Sequence, residues 1–224
     1  MPCLGYGRFA SVFGIFVLSI SVAPLVHASR PQSVSVRSVV FNEARLPTQR
    51  DAYYEIQIRL RGERVDESGG ESHFHRSIDV RLELGFGVGR GEHERQEFYR
   101  SRAQLVGLST HEEKTVYFYL PPEIVRRDRL SRAPVAWRVS LGVNGEALRN
   151  EPGSYSDSLG EVSAARLFMS RIEHQAPRND GLLLPIYLTP FYGEQARRLE
   201  ESPSYLRSDP LNVEDQKPAT RSLD

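Results

Sequence analysis

The chain has 224 residues, 29 basic against 29 acidic side chains, and a single cysteine. With 39% hydrophobic and 26% charged residues, it fits neither a disordered polymer, a multi-span membrane protein nor a disulfide-stapled miniprotein. The zero balance argues against a strongly basic grip on nucleic acid, so no nucleic-acid partner is expected.

Arg8 precedes an almost wholly apolar run from Phe9 to Val22, and Val26-His27-Ala28 ends in a small residue. This is the pattern of a cleaved secretory signal over residues 1–28. The run approaches the about 20 residues of a spanning helix, which leaves a retained anchor as the alternative. Pro24 and the small residues before Ser29 favour cleavage. Cleavage removes Cys3 and leaves an exported domain without thiols and without a stable membrane span. Such a chain suits a bacterial periplasm or cell surface.

Residues 29–200 read as a single domain. Val34 to Phe41 is a weak strand. Tyr54, Ile56, Ile58 and Leu60 alternate with Glu55, Gln57, Arg59 and Arg61. After a polar loop at Asp66 to Glu71, alternation resumes from Ile78 to Val88, and a second weak strand spans Phe98 to Leu108. Val116, Phe118 and Leu120 alternate with Tyr117 and Tyr119, and Trp137 to Val143 repeats the pattern. Period two puts large apolar groups on one face and charges on the other. Half-wet strands of this kind pair antiparallel and pack sheet on sheet. The expected fold is mainly β: an immunoglobulin-like antiparallel β-sandwich with one or two short helices.

Pro121 to Asp128 has the form of one or two helical turns entered through proline. Asn144-Gly145 signals a turn, although little alternation follows it. Ser158-Leu159-Gly160-Glu161 has capping-box spacing, ahead of a helical face of Val162, Ala165, Phe168, Met169 and Ile172. A helix is expected from about Leu159 to Glu173. Pro185 confines Leu182 to Thr189 to an edge strand or extended segment. Glu194 to Glu201 reads as a short surface helix, and residues 201–224 as a polar, proline-dotted, disordered tail.

Chemistry-bearing motifs are sparse. His73 and His75 share a face if the segment is extended, which is the spacing of a metal pair. No acidic cluster accompanies them, and no cofactor is expected. The glycines from Gly85 to Gly91 lie inside a strand rather than between a strand and a helix, so they read as sites of twist or close approach, not as a phosphate loop. No Gly-x-Ser-x-Gly elbow is present. Glu112-Glu113 and Glu200-Glu201 read as solvated pairs. Arg126, Arg127 and Arg129 form a local basic cluster that could dock an acidic partner, although Glu123 and Asp128 offset it. Tyr117 and Tyr119 point away from the Val116 face. They act as outward anchors for a partner, unless the helix after Ser158 or the Phe191-Tyr192 segment covers them.

Three strings resemble one group of proteins. They are Phe98-Tyr99-Arg100-Ser101, the run from Val116 through Pro121-Pro122 to Asp128, and Asn179-Asp180-Gly181 through Phe191. The group is that of secreted verrucomicrobial proteins of the kind associated with type IV pilus genes in Akkermansia. The resemblance spans roughly Val34 to Tyr192. It implies a small immunoglobulin-like β-sandwich with an envelope or pilus role and no catalytic residue to carry over.

The expected function is therefore that of a non-catalytic exported protein that binds another cell-envelope or pilus component, by strand addition at a sheet edge or through the outward tyrosines. Two alternatives stand beside it: a secreted carbohydrate-binding module using the same tyrosines, and a hydrolase or metal enzyme with a dispersed site.

Overall fold

The structure, a computed structural model, describes residues 33–47, 49–63, 74–88, 95–130, 132–151, 153–194 and 202–206. The 1–28 signal, His73 and the 195–201 part of the expected surface helix lie outside them. Chain order is β1 (Val34–Ala44), β2 (Tyr53–Gly62), β3 (Phe74–Val88), β4 (Arg95–Ser109), β5 (Glu113–Leu120), α1 (Pro122–Arg127), β6 (Ala136–Val143) and β7 (Glu146–Ala147). It continues with α2 (Val162–Gln175), β8 (Leu184–Pro185), α3 (Phe191–Glu194) and β9 (Tyr205–Leu206).

Among the described residues the strands form two antiparallel sheets, ordered β1-β2-β5-β8 and β7-β6-β3-β4-β9. The chain crosses between sheets after β2, β4, β5, β7 and β8. With β1, β2 and β5 in one layer and β7, β6, β3 and β4 in the other, this is the Greek-key order of an immunoglobulin-like sandwich. All six strands read from the alternation are present. Their inward residues, among them Ile56, Ile58, Leu60, Ile78, Val80, Leu82, Val116, Phe118 and Val139, are fully buried in one core. Each such side chain stabilises the fold by about 1.5–3 kcal/mol relative to exposure.

Short elements cap this core. Pro122 opens α1 in the first helical turn, where its missing N–H costs nothing. Asn144 and Gly145, at φ 52° and 84°, make a tight turn into β7, a hairpin arm of only two residues. Pro185 does sit on an edge, paired with Phe118 in β8.

The expected capping box does not form. A 3-10 turn occupies Asp157–Leu159, α2 starts only at Val162, and Ser158 Oγ donates instead to Val135 O at 2.9 Å. α2 then lies across the outer face of the β6-β3-β4 sheet. Phe168 and Ile172 bury there, whereas Val162 and Met169 of the expected apolar face are 67% and 43% exposed. Gly85 provides the close approach: a Cβ there would press on the rings of Phe98 and Phe168 at 3.0 and 3.3 Å. Tyr205 and Leu206, placed by sequence in the tail, pair with β4, with Tyr205 opposite Leu105 and its ring 5.3 Å from that of Tyr187.

Candidate functional site

Tyr117 and Tyr119 are not outward anchors. Both point to the outer face of their sheet as the alternation requires, but they are 3% and 0% exposed. Ile186 and Phe191 fold over them in a second small core with Leu46 and Tyr53. Phe191 stacks flat on Tyr119, and the Tyr119 hydroxyl donates to Glu55 Oε2 at 2.8 Å. Ile186 and Phe191 were the apolar signal for this cover, whereas Leu182 and Leu183 of the same stretch pack with the main core.

The three strings that carried the resemblance converge at the corner where β5 passes through α1. Asp128, at the end of α1, is fully buried. Its carboxylate accepts from the Tyr99 hydroxyl on β4 and from Arg127 Nη2 at 2.6 Å and Nε at 3.1 Å. Arg127 Nη2 also donates to Asn179 Oδ1 at 3.2 Å, and Asn179 Nδ2 donates onward to Glu97 Oε2 at 3.1 Å and Phe98 O at 2.9 Å. Next door, Arg100 makes a two-pronged pair with Asp180 at 2.8 and 2.7 Å. Residues far apart in sequence thus close one polar network.

Two buried carboxylates anchor it, and three arginines sit over them. Arg95 bridges both, with Nε 3.2 Å from Glu97 and Nη2 3.6 Å from Asp128. Arg178 Nη2 lies 3.5 Å from Glu97. The side chains of Arg95, Arg127 and Arg178 are 63%, 47% and 55% exposed, against 0% for Asp128 and 8% for Glu97. The anions are inside and the cations face solvent, so the corner presents positive charge on an ordered base. Burial pushes the Asp128 carboxyl up, but the hydrogen bonds from Arg127 and Tyr99 and the charges of Arg127 and Arg95 outweigh it and hold it below the ordinary value. Burial first, then the bond to Asp128, pushes the Tyr99 phenol up.

The predicted basic cluster divides on this geometry. Arg127 is built into the network. Arg126 is committed to Asp51 and, at 3.9 Å, to Glu123. Arg129 is exposed beside the network, in a left-handed backbone conformation at φ 51°. Tyr99, Asp128, Glu97, Asn179, Arg95 and Arg178 were not singled out as site residues. The one local signal was an aspartate set inside a run of arginines.

His75 is buried, and its Nε2 lies 2.8 Å from Glu63 O, which is the environment of a structural histidine. Among the described residues, no three His, Cys, Asp or Glu side chains converge as metal ligands, and no helix is long and apolar enough to cross a membrane. Glu112 caps the Ser109 amide at 2.9 Å, and Glu113 lies 3.7 Å from Arg61.

No protein-family model and no curated protein matches the chain. A solved structure from Akkermansia muciniphila is similar to it in fold, with a TM-score of 0.57 at 14% identity, covering 78% of this chain and 93% of the other.

Proposed function

We propose that the chain is a non-catalytic, exported component of a bacterial cell envelope that binds an envelope or pilus protein through an acidic segment of that partner. The observation that carries this reading is the α1 corner, where Arg95, Arg127 and Arg178 stand partly in solvent on the buried carboxylates of Asp128 and Glu97. Arginines fixed from below lose little further freedom when they meet a carboxylate, which favours a specific contact. The resemblance of the strings that build the corner, and the Akkermansia protein of similar fold, support an envelope setting. The tyrosine-based sugar platform has no exposed tyrosine behind it: Tyr117 and Tyr119 are core residues.

The test is photo-crosslinking from position 129, which is exposed beside the corner, in the intact native envelope, with the adduct identified by mass spectrometry. One recurrent envelope or pilus protein is the expected adduct. A folded, exported protein that gives no adduct contradicts the reading.

A further inference from the structure

The outer face of the β6-β3-β4 sheet is laid out in rows by its register. Nearest α2, Ala136, Gly85 and Phe98 lie side by side. In the next row Arg138, Glu83 and Arg100 alternate in sign, and Asp180 completes the balance. One row further, Arg81 stands directly opposite Arg102, with Ser140 as its other neighbour. The row after that holds Gly142, Asp79 and Gln104.

Like charges directly opposite each other destabilise a sheet. Here both guanidinium groups turn to one carboxylate: Arg102 Nε binds Asp79 Oδ1, and Arg81 Nε lies 3.2 Å from Asp79 Oδ2. Two cations share one anion, so a positive charge is left over. Both contacts run through Nε, and among the described residues none uses an Nη amine of either arginine. The two side chains are 60% and 57% exposed.

Beside this pair the β6–β7 side of the face is built from small residues, and a groove of about 210 Å³ opens over Ser140, Gly142, Gly145 and Ala147. At its far wall Gln104 Nε2 donates to Ser77 Oγ at 3.2 Å, and Ser77 is held at φ 48° in the left-handed region. Non-glycine residues in that conformation concentrate at binding sites.

We propose that this groove, separate from the α1 corner, binds an acidic sugar residue of the uronate kind. The Nη amines of Arg81 and Arg102 match the carboxylate and neutralise the surplus charge. Ser77, Ser140 and Gln104 supply partners for ring hydroxyls. The volume is below the roughly 300–1,000 Å³ of pockets for drug-sized ligands, which suits one ring rather than a long chain.

The test is titration of the isotope-labelled full chain with sodium glucuronate, followed by amide NMR, with glucose and sodium acetate run at matched ionic strength. Glucuronate is expected to give saturable shifts at Ser77, Gly142 and Gly145. The response should weaken at least tenfold in Arg81→Gln, which removes a fork, and in Ala147→Leu, which fills the groove from an exposed position. The same spectra report whether each variant is folded. Acetate acting as strongly as glucuronate overturns the sugar, glucose acting as strongly overturns the role of charge, and the absence of saturable shifts overturns the site.

Discussion

Tyr119 and Phe191 stack face to face, with ring centroids 4.5 Å apart and planes 9° from parallel. Tyr53 meets the same Phe191 ring edge-on at 5.0 Å. This contact turns the outer face of β5 from a surface into a second core. It also ties the last part of the domain to a strand more than sixty residues earlier.

Phe191→Ala should cost about 3–5 kcal/mol, the usual loss for a buried phenylalanine. It should also expose Tyr119 to solvent and to nitrating reagent. Urea unfolding and mapping of the modified tyrosine check both. A loss below about 1 kcal/mol with Tyr119 still protected contradicts the second core.

Asp128→Ala removes the acceptor shared by Tyr99, Arg127 and Arg95. It leaves the buried Tyr99 hydroxyl unsatisfied, about 1–3 kcal/mol, and also loses the bonds from Arg127, about 1.5–3 kcal/mol for a bond to a charged group. Tyr99→Phe deletes a single bond to a charged group and should cost less, about 1.5–3 kcal/mol. Denaturant midpoints of the two variants should keep that order. The reverse order would show that the phenol, not the carboxylate, organises the corner.

Stability should fall at both ends of the pH scale. The Asp128 carboxyl titrates below its ordinary 3.8 when folded. Its contribution is present above that value and is lost as pH falls through the depressed folded one. The phenols of Tyr54, Tyr99 and Tyr205 are raised from 10.0, chiefly by burial. Their contribution is present below 10 and is lost as pH climbs above it. Denaturant midpoints across pH 2–12 read both limbs, and Asp128→Asn should flatten the acid one and, through the Tyr99 phenol that Asp128 also raises, lessen the alkaline one. An unchanged acid limb in that variant would assign it to other carboxylates.

Gly62 and Gly193 make a matched pair. A Cβ on Gly62 would run into the backbone carbonyl of Ser109, whereas one on Gly193 meets nothing within 4 Å. Gly62→Ala should destabilise by about 1–3 kcal/mol through overpacking. Gly193→Ala should be close to neutral. Thermal melts of the two variants check this, and equal effects contradict the close approach of β2 to the β4–β5 turn.

The sandwich was legible in the sequence because each core strand carries its own period-two signal, as in Ile56, Ile58 and Leu60 or Ile78, Val80 and Leu82. Alternation tells which side of a strand a residue takes, but not whether a later segment covers that side. Tyr117 and Tyr119 were therefore placed on the correct face with the exposure still open. The α1 corner was less legible for the same reason. Tyr99, Asp128 and Asn179 are brought together by sheet pairing and by the turn after α2, and no local pattern encodes that meeting. Ser158 shows the converse: it has ideal spacing for a cap, yet a 3-10 turn and the Val135 carbonyl claim it first.

The central claim is that the arginines over Asp128 and Glu97 hold an acidic partner. The most direct measurement compares photo-crosslinking from position 129 in the native envelope between the wild type and an Arg95→Gln/Arg178→Gln variant. Both substitutions lie at side chains more than half exposed, but they leave buried Glu97 without its two cations, so the midpoint should drop and yields are compared under conditions where both proteins are folded. The prediction is one dominant envelope adduct that falls at least tenfold in the variant and fades with added salt, as a charge-steered contact should. An adduct of equal yield in the folded variant, or one indifferent to salt, contradicts the account.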